Sequence, residues 1–431
     1  MRIVLFLLMF IFLYSANLHF SLYKKGDENN TLLVIGGIHG NEPGGYFAAS
    51  FLVRFYTIKK DSLWIVPNLN FDSIIRFKRG IYGDMNRKFA FISKQDKDYK
   101  IVIDIKKIIL HPKVDLVLNL HDGYGFYRKY WQNSIFNPAA WGQAFIIDQE
   151  NIKVNRFGNL GEIAKNIAKK LNEELKKDYH IFNVKNTETK FKDEEMRHSL
   201  TYFAITNNKP AFAIETSKNI RDLPTKIFYQ LKAIEEFMRV VGIEFERDFN
   251  LTIKGIKNKL KNKGYVIINK NTILPLDNIK KRINFFPITS KKLTFKTDNP
   301  LVCVIKERNY YLVKEAFNTL TILYPQYFKN LCKIDKIKIE IDGKVKEIKI
   351  PSIIKVKNYF KLLSKKRVNV IGFSSKKNEA NIKITKDKLI KRFSINKNKN
   401  IYRVEIYDKD SFCGMILVDF GGENENSNSK F

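Results

Sequence analysis

Cysteine is scarce. The 431 residues hold three, Cys303, Cys332 and Cys413, all late in the chain and none at CxxC spacing. That excludes a cysteine-rich zinc site and a multi-bridge disulfide scaffold, and leaves room for one bridge whose partners the spacing does not choose. Glycine (21) and proline (11) are too few for a collagen-like or proline-rich fibre. Long apolar runs are missing save one, Ile3 to Tyr14, which falls short of the ~20 residues of a membrane-spanning helix. Acidic side chains are outnumbered 44 to 77, so the formal net charge is +33. What is plentiful is core material: hydrophobic residues make up 44% and aromatics 13%, which excludes global disorder. At ~100 to 200 residues per domain the length fits two to four domains.

The charge is uneven. From residue 246 onward there are 41 basic and 18 acidic side chains, a net +23, against 36 and 26, a net +10, in the first 245. The downstream half is therefore the electrostatic handle for a negatively charged neighbour, with anionic wall polymers or a partner protein as candidates. The lack of any recognisable binding motif makes a nucleic-acid role a poor reading of that charge. Met1-Arg2, the apolar run and Ser15-Ala16-Asn17 read as the charged start, apolar middle and small-residue exit of an export signal, cleaved or kept as an anchor.

Thr31 to Ile35 reads as a buried strand, and a helical repeat runs from Pro43 to about Tyr56. Further strands fall at Leu63–Val66, Val114–Leu120, Ala144–Ile147 and Pro210–Ile214, with helices at Ile101–Leu110, Leu160–Lys177 and Leu223–Val241. Such alternation predicts an α/β sheet covered by helices. Past Glu246 short β-prone runs take over. Among them, Lys336–Ile341 and Lys344–Ile350 flank Asp342-Gly343, the signature of a type I′ hairpin. The expected organisation is a leader at 1–20, an α/β domain at 21–245, a small β-rich domain at 246–333, and a β-sandwich-like domain at 334–431 with a disordered tail.

The chemistry lies at strand ends. His39 and Glu42 stand in Gly36-Gly37-Ile38-His39-Gly40-Asn41-Glu42-Pro43-Gly44-Gly45, where an imidazole and a carboxylate three residues apart can fold onto one ion. His121 follows a second apolar strand, and ligands in open α/β sheets gather beyond strand carboxyl ends. Two histidines and a glutamate leave a fourth position for water, the arrangement of a catalytic zinc. Asp122 is a candidate to orient a ligand histidine. Glu215 ends a third strand, where it could exchange a proton with that water. Arg79, Asn86 and Arg87 share an aperiodic segment, and guanidinium and amide groups suit a carboxylate. Trp141 and Thr201 lie in aromatic and polar stretches and are candidates to line a substrate groove.

Taken in order, GGxHGNE, PNLNFDS with DMNRKF, LNLHDG and AIET resemble the M14-like zinc carboxypeptidase superfamily over about residues 31 to 245. The resemblance implies a carboxypeptidase-like mixed sheet flanked by helices, followed by one or two small all-β domains. It implies one Zn2+ held by His39, Glu42 and His121, with Glu215 as general base. Arg79 would polarise the scissile carbonyl, and Asn86 and Arg87 would hold the substrate's terminal carboxylate. Within that superfamily the leader, the HGNEPGG wording and the basic β-rich extension look most like periplasmic murein DL-carboxypeptidases that set helical cell shape in Gram-negative bacteria. Those release meso-diaminopimelate from the peptidoglycan tripeptide. Members of that group place glutamine where this chain has His39, a departure toward the general pattern; imidazole is the better ligand. Two alternatives share parts of the pattern: deacylases of the aspartoacylase and succinylglutamate desuccinylase type, and a non-catalytic wall-binding protein.

Overall fold

The structure, a computed structural model, describes residues 18–26, 30–289, 293–328, 332, 334–373 and 378–421. The expected leader, save residues 18–20, and the expected tail beyond Gly421 lie outside these. Among the described residues no helix is long and apolar enough to cross a membrane.

The first part is a seven-stranded mixed sheet in the spatial order Tyr23–Lys25, Ser62–Val66, Thr31–Gly36, Val114–Gly123, Ala211–Ser217, Ala144–Ile147, Asn183–Asn186. Its central four strands run parallel, and the outer ones mix directions. Thr31–Gly36 and Ala211–Ser217 are buried at every position, which is why they read as unbroken apolar runs rather than alternating ones. Helices Pro43–Phe55, Leu160–Asn172 and Leu223–Val241 pack together over the sheet. Leu160–Asn172 stops short of the expected Lys177, because the Tyr229 hydroxyl accepts the Lys176 amide and turns the chain toward Asn183.

The chain stays with this unit past residue 245. Glu244–Arg247 pairs antiparallel with Tyr56–Lys60, and helix Ile253–Lys261 packs on Leu223–Val241 with Ile256 fully buried. That helix stands where the sequence suggested only strands. Ile253, Ile256 and Leu260 form one narrow apolar stripe among lysines, too thin to read as a helix at first pass.

Everything further is β. Three strands (Thr272–Pro275, Tyr265–Ile268, Phe295–Thr297) and four (Arg282–Ile288, Asn318–Tyr327, Tyr311–Glu315, Val302–Lys306) make two middle sheets. Strand Val302–Lys306 serves two cores: Cys303 and Ile305 pack with the α/β unit, Val302 and Val304 with the middle sheets. Two four-stranded sheets follow and close face to face. One holds the Lys336–Ile341/Lys344–Lys349 hairpin, with Asp342 at φ 50° and Gly343 at φ 88° as a type I′ turn requires. The other is built on the pair Ile401–Asp408 and Ser411–Asp419. Alternate residues of that pair face opposite ways and both faces are covered: Tyr402, Val404, Ile406, Cys413, Ile416 and Val418 fill the sandwich, while Ile401, Tyr407, Phe412, Met415 and Leu417 pack on the middle sheets. Cys332 and Cys413 form a disulfide, and Cys303 is buried and free.

Candidate metal centre

The turn after Thr31–Gly36 is shaped by close approaches. A Cβ on Gly40 would stand 2.1 Å from the Ser73 carbonyl carbon, and one on Gly45 would meet Leu120 at 2.8 Å, so both positions need glycine to let the turn lie against its neighbours. Glu42 occupies the position just before helix Pro43–Phe55, yet its side chain caps nothing. It points into the protein, accepting from His121 Nδ1 at 2.9 Å, the Asp122 backbone N at 3.2 Å, Lys218 Nζ at 3.1 Å and Arg79 Nη1 at 3.3 Å.

His121 and Glu215 arrive by strand register. The parallel pairing of Val114–Gly123 with Ala211–Ser217 sets Glu215 beside His121 and Ala213 beside Asn119, so these four side chains share one face at the carboxyl ends of the strands. His39 Nε2 donates to Asp84 Oδ1 at 2.7 Å. Its Nδ1 therefore turns toward Glu42, 3.1 Å from Oε1, with no hydrogen bond to satisfy it. One ligand atom from each of His39, Glu42 and His121 lies within 4.8 Å of the others, and all three residues are buried.

The electrostatics follow from this packing. Burial alone would raise the Glu42 carboxyl, but the charges of His39 and His121 and the hydrogen bond from His121 outweigh it and hold it well below the usual range. Burial disfavours charge on His39 too, yet Glu42 and Asp84 push its imidazole up; on His121 burial outweighs the bond to Glu42 and pushes the imidazole down. Glu215 goes far upward through burial first, then through the negative charges of Glu42 and Asp122, and its Oε2 has no hydrogen-bond partner. An idle imidazole nitrogen, an idle carboxylate oxygen and a two-imidazole, one-carboxylate donor set fit a divalent cation.

All ten residues proposed from sequence line one cavity of about 300 Å³: His39, Glu42, Arg79, Asn86, Arg87, His121, Asp122, Trp141, Thr201 and Glu215. Arg79 also pairs with Asp84, at 2.9 Å from Nε and 2.8 Å from Nη2. Asn86 Oδ1 accepts from the Leu200 backbone N at 3.0 Å, which leaves its amide donor side for the cavity. Arg87 reaches toward Glu195 at 3.9 Å.

Asp122 does something other than orient a histidine. Its carboxylate takes the Gly44 backbone N at 3.0 Å, Lys226 Nζ at 3.1 Å and the Thr216 hydroxyl, and so ties three elements together behind the centre. The histidine-orienting acid is Asp84, which lies 45 residues from its partner in an aperiodic segment. Sequence reasoning also missed Lys218 and Asn119, both of which line the cavity. Asn119 had a signal: in Leu118-Asn119-Leu120-His121 the strand's alternation puts it on the face of the histidine.

A His-Glu-His centre beyond parallel strand ends, with two arginines and an acid in one cavity, is the equipment of a metallo-carboxypeptidase. Residues 2–262 match the catalytic family of carboxypeptidases controlling helical cell shape, and residues 331–421 match the C-terminal domain of metallo-carboxypeptidase. The chain belongs to that family of cell-shape carboxypeptidases. Among curated proteins no match was found. Among solved structures, the apo form of the cell shape determinant Csd4 from Helicobacter pylori is 35% identical, with a TM-score of 0.87 over 93% of this chain and 100% of that one. The tripeptide-bound form of Csd4 (36% identity) and the mDAP-bound form, described as a D,L-carboxypeptidase (35%), match with the same TM-score and coverage.

Proposed function

We propose that the protein is a zinc-dependent murein carboxypeptidase of the periplasm, which releases meso-diaminopimelate from the peptidoglycan tripeptide and thereby affects cell shape. One observation carries this reading: the strand register that sets Glu215, with its free Oε2, beside His121 in the cavity holding the His39–Glu42–His121 donors. The tripeptide-bound and mDAP-bound relatives support the substrate class.

His39, Glu42 and His121 hold the ion, and Asp84 fixes the His39 ring through its Nε2 hydrogen. When bound, zinc brings the pKa of its water toward ~7 and polarises the amide carbonyl. Glu215 takes the proton of the attacking water and returns it to the leaving amine. Arg79, beside Glu42, donates to the carbonyl oxygen as charge develops on it. Asn86 and Arg87 receive the terminal carboxylate, which makes the enzyme an exopeptidase. Trp141 and Thr201 wall the same cavity. The export signal and the Cys332–Cys413 bridge both support the periplasm, since disulfides persist in oxidising compartments.

The test is incubation with purified muropeptides, with and without chelator, identifying the released amino acid by mass. Release of diaminopimelate from the tripeptide, abolished by chelator and restored by zinc, is expected. Cleavage of N-acyl amino acids in place of muropeptides would transfer the site to the deacylases.

A further inference from the structure

Asn119 is 1% exposed, lines the cavity, and has no hydrogen-bond partner at either Oδ1 or Nδ2. A carboxamide buried with its donors and acceptor idle is disfavoured unless something completes it. It stands two residues before His121 on the same strand face, ~7 Å deeper along the strand than the metal donors. Its register neighbour is Ala213, whose methyl group fills little of the space beside the amide. The wall there is apolar: Ala144, Ile146 and Ala213 form a small cluster with Trp141 packed against it. The cavity thus offers an aliphatic wall with a single amide at its inner end, and no step of the mechanism above uses that amide.

We infer that Asn119 is a specificity-determining residue: it receives the far end of the released residue's side chain, an amino-acid group carrying both an ammonium and a carboxylate. This rests on the carboxypeptidase reading and deepens it. Oδ1 accepts from the ammonium while Nδ2 donates to the carboxylate, so one carboxamide serves both charges. A lysine side chain would use only the acceptor, and an aliphatic one neither. The methylene stem of the released residue lies along Ala213, Ile146 and Trp141.

The test compares wild type with Asn119→Leu on tripeptides ending in diaminopimelate, lysine and norleucine. The variant should lose about 10- to 100-fold in kcat/KM for diaminopimelate, the worth of hydrogen bonds to charged groups, and little or nothing for norleucine. Calorimetry of free diaminopimelate binding to the zinc-loaded protein should show a matching loss of affinity without any turnover. The thermal midpoint should hold or rise, because the substitution removes an unsatisfied polar group. Asn119→Ser, which keeps one polar atom, should fall between the two. If wild type releases diaminopimelate and Asn119→Leu leaves its preference over norleucine unchanged, the inference is overturned and the carboxypeptidase reading stands. A wild type that releases none overturns both.

Discussion

Glu42 and Glu405 are both fully buried carboxylates with a guanidinium nitrogen close by, at 3.3 Å (Arg79) and 3.4 Å (Arg403), and their acidities move in opposite directions. Glu42 is held well below its ordinary range because two imidazoles outweigh the upward push of burial. Glu405, on the face of Ile401–Asp408 that meets the middle sheets, is pushed up because burial outweighs Arg403 and Tyr407. Arg403 is committed elsewhere as well, donating to the Phe285 and Asn284 carbonyls at 3.0 and 3.1 Å. Burial of charge therefore does not itself mark a catalytic centre. The centre is the place where surplus positive donors and idle atoms such as Glu215 Oε2 and His39 Nδ1 open into a cavity. Around Glu405 there are idle atoms too, Arg403 Nε and Glu405 Oε1, but the two terminal nitrogens of Arg403 are spent on joining two sheets.

Four measurements can break or sharpen this contrast. The largest effect is expected for Glu215→Gln, which should retain bound zinc by elemental analysis and lose about 10²- to 10⁴-fold in kcat, the usual worth of a positioned acid–base group. Near-normal turnover would remove Glu215 from the mechanism. Next, Arg403→Met should cost about 3 to 5 kcal/mol in denaturant unfolding, since it strands a buried carboxylate. Its kcat/KM at low temperature should stay that of wild type, and a catalytic defect in well-folded protein would refute a purely structural Glu405 cluster.

Asp148 is a third buried acid, bonded to Thr189 and Thr201 and pushed up to about 6 mainly by burial. Its unfolded carboxyl ionises near 3.8. The unfolded chain therefore gives up its proton first, and folding stability falls as pH rises from 3.8 to about 6, then levels. Two pKa units of difference correspond to about 3 kcal/mol. Stability curves of wild type and Asp148→Asn across that window should diverge by that order, and parallel curves would show that Asp148 does not titrate there. The smallest effect is Arg87→Ala, expected to weaken kcat/KM about 10- to 100-fold for substrates with a free terminal carboxylate. Amidated substrates should change little, and equal losses on both would dismiss the carboxylate pocket.

The sequence made legible whatever is local. The glycines around His39 and Glu42, the apolar strands ending at His121 and Glu215, and the Asp342-Gly343 turn each carry their own short-range reason. Less legible was what folding brings together over distance. Asp84 reaches His39 from an aperiodic segment, Cys332 finds Cys413 across 81 residues, and Asp122 serves Gly44, Thr216 and Lys226 instead of a histidine. The role of Arg403 and Glu405 was hidden for another reason. Their strand is buried on both faces, so charged residues within it look like an ordinary solvent-facing alternation until the second face is seen to be covered.

That doubly covered strand pair, Ile401–Asp408 with Ser411–Asp419, sets an order of events during synthesis. The seven-stranded sheet has all its strands once Ser217 has emerged, and its last helix ends at Lys261. The middle sheets and the sandwich must both wait for about 150 further residues before the wedge between them exists, with ribosomal rates near 5 to 20 residues per second. The Cys332–Cys413 bridge pins that same pair, since Cys413 lies within its second strand, so the downstream half assembles in one final stroke.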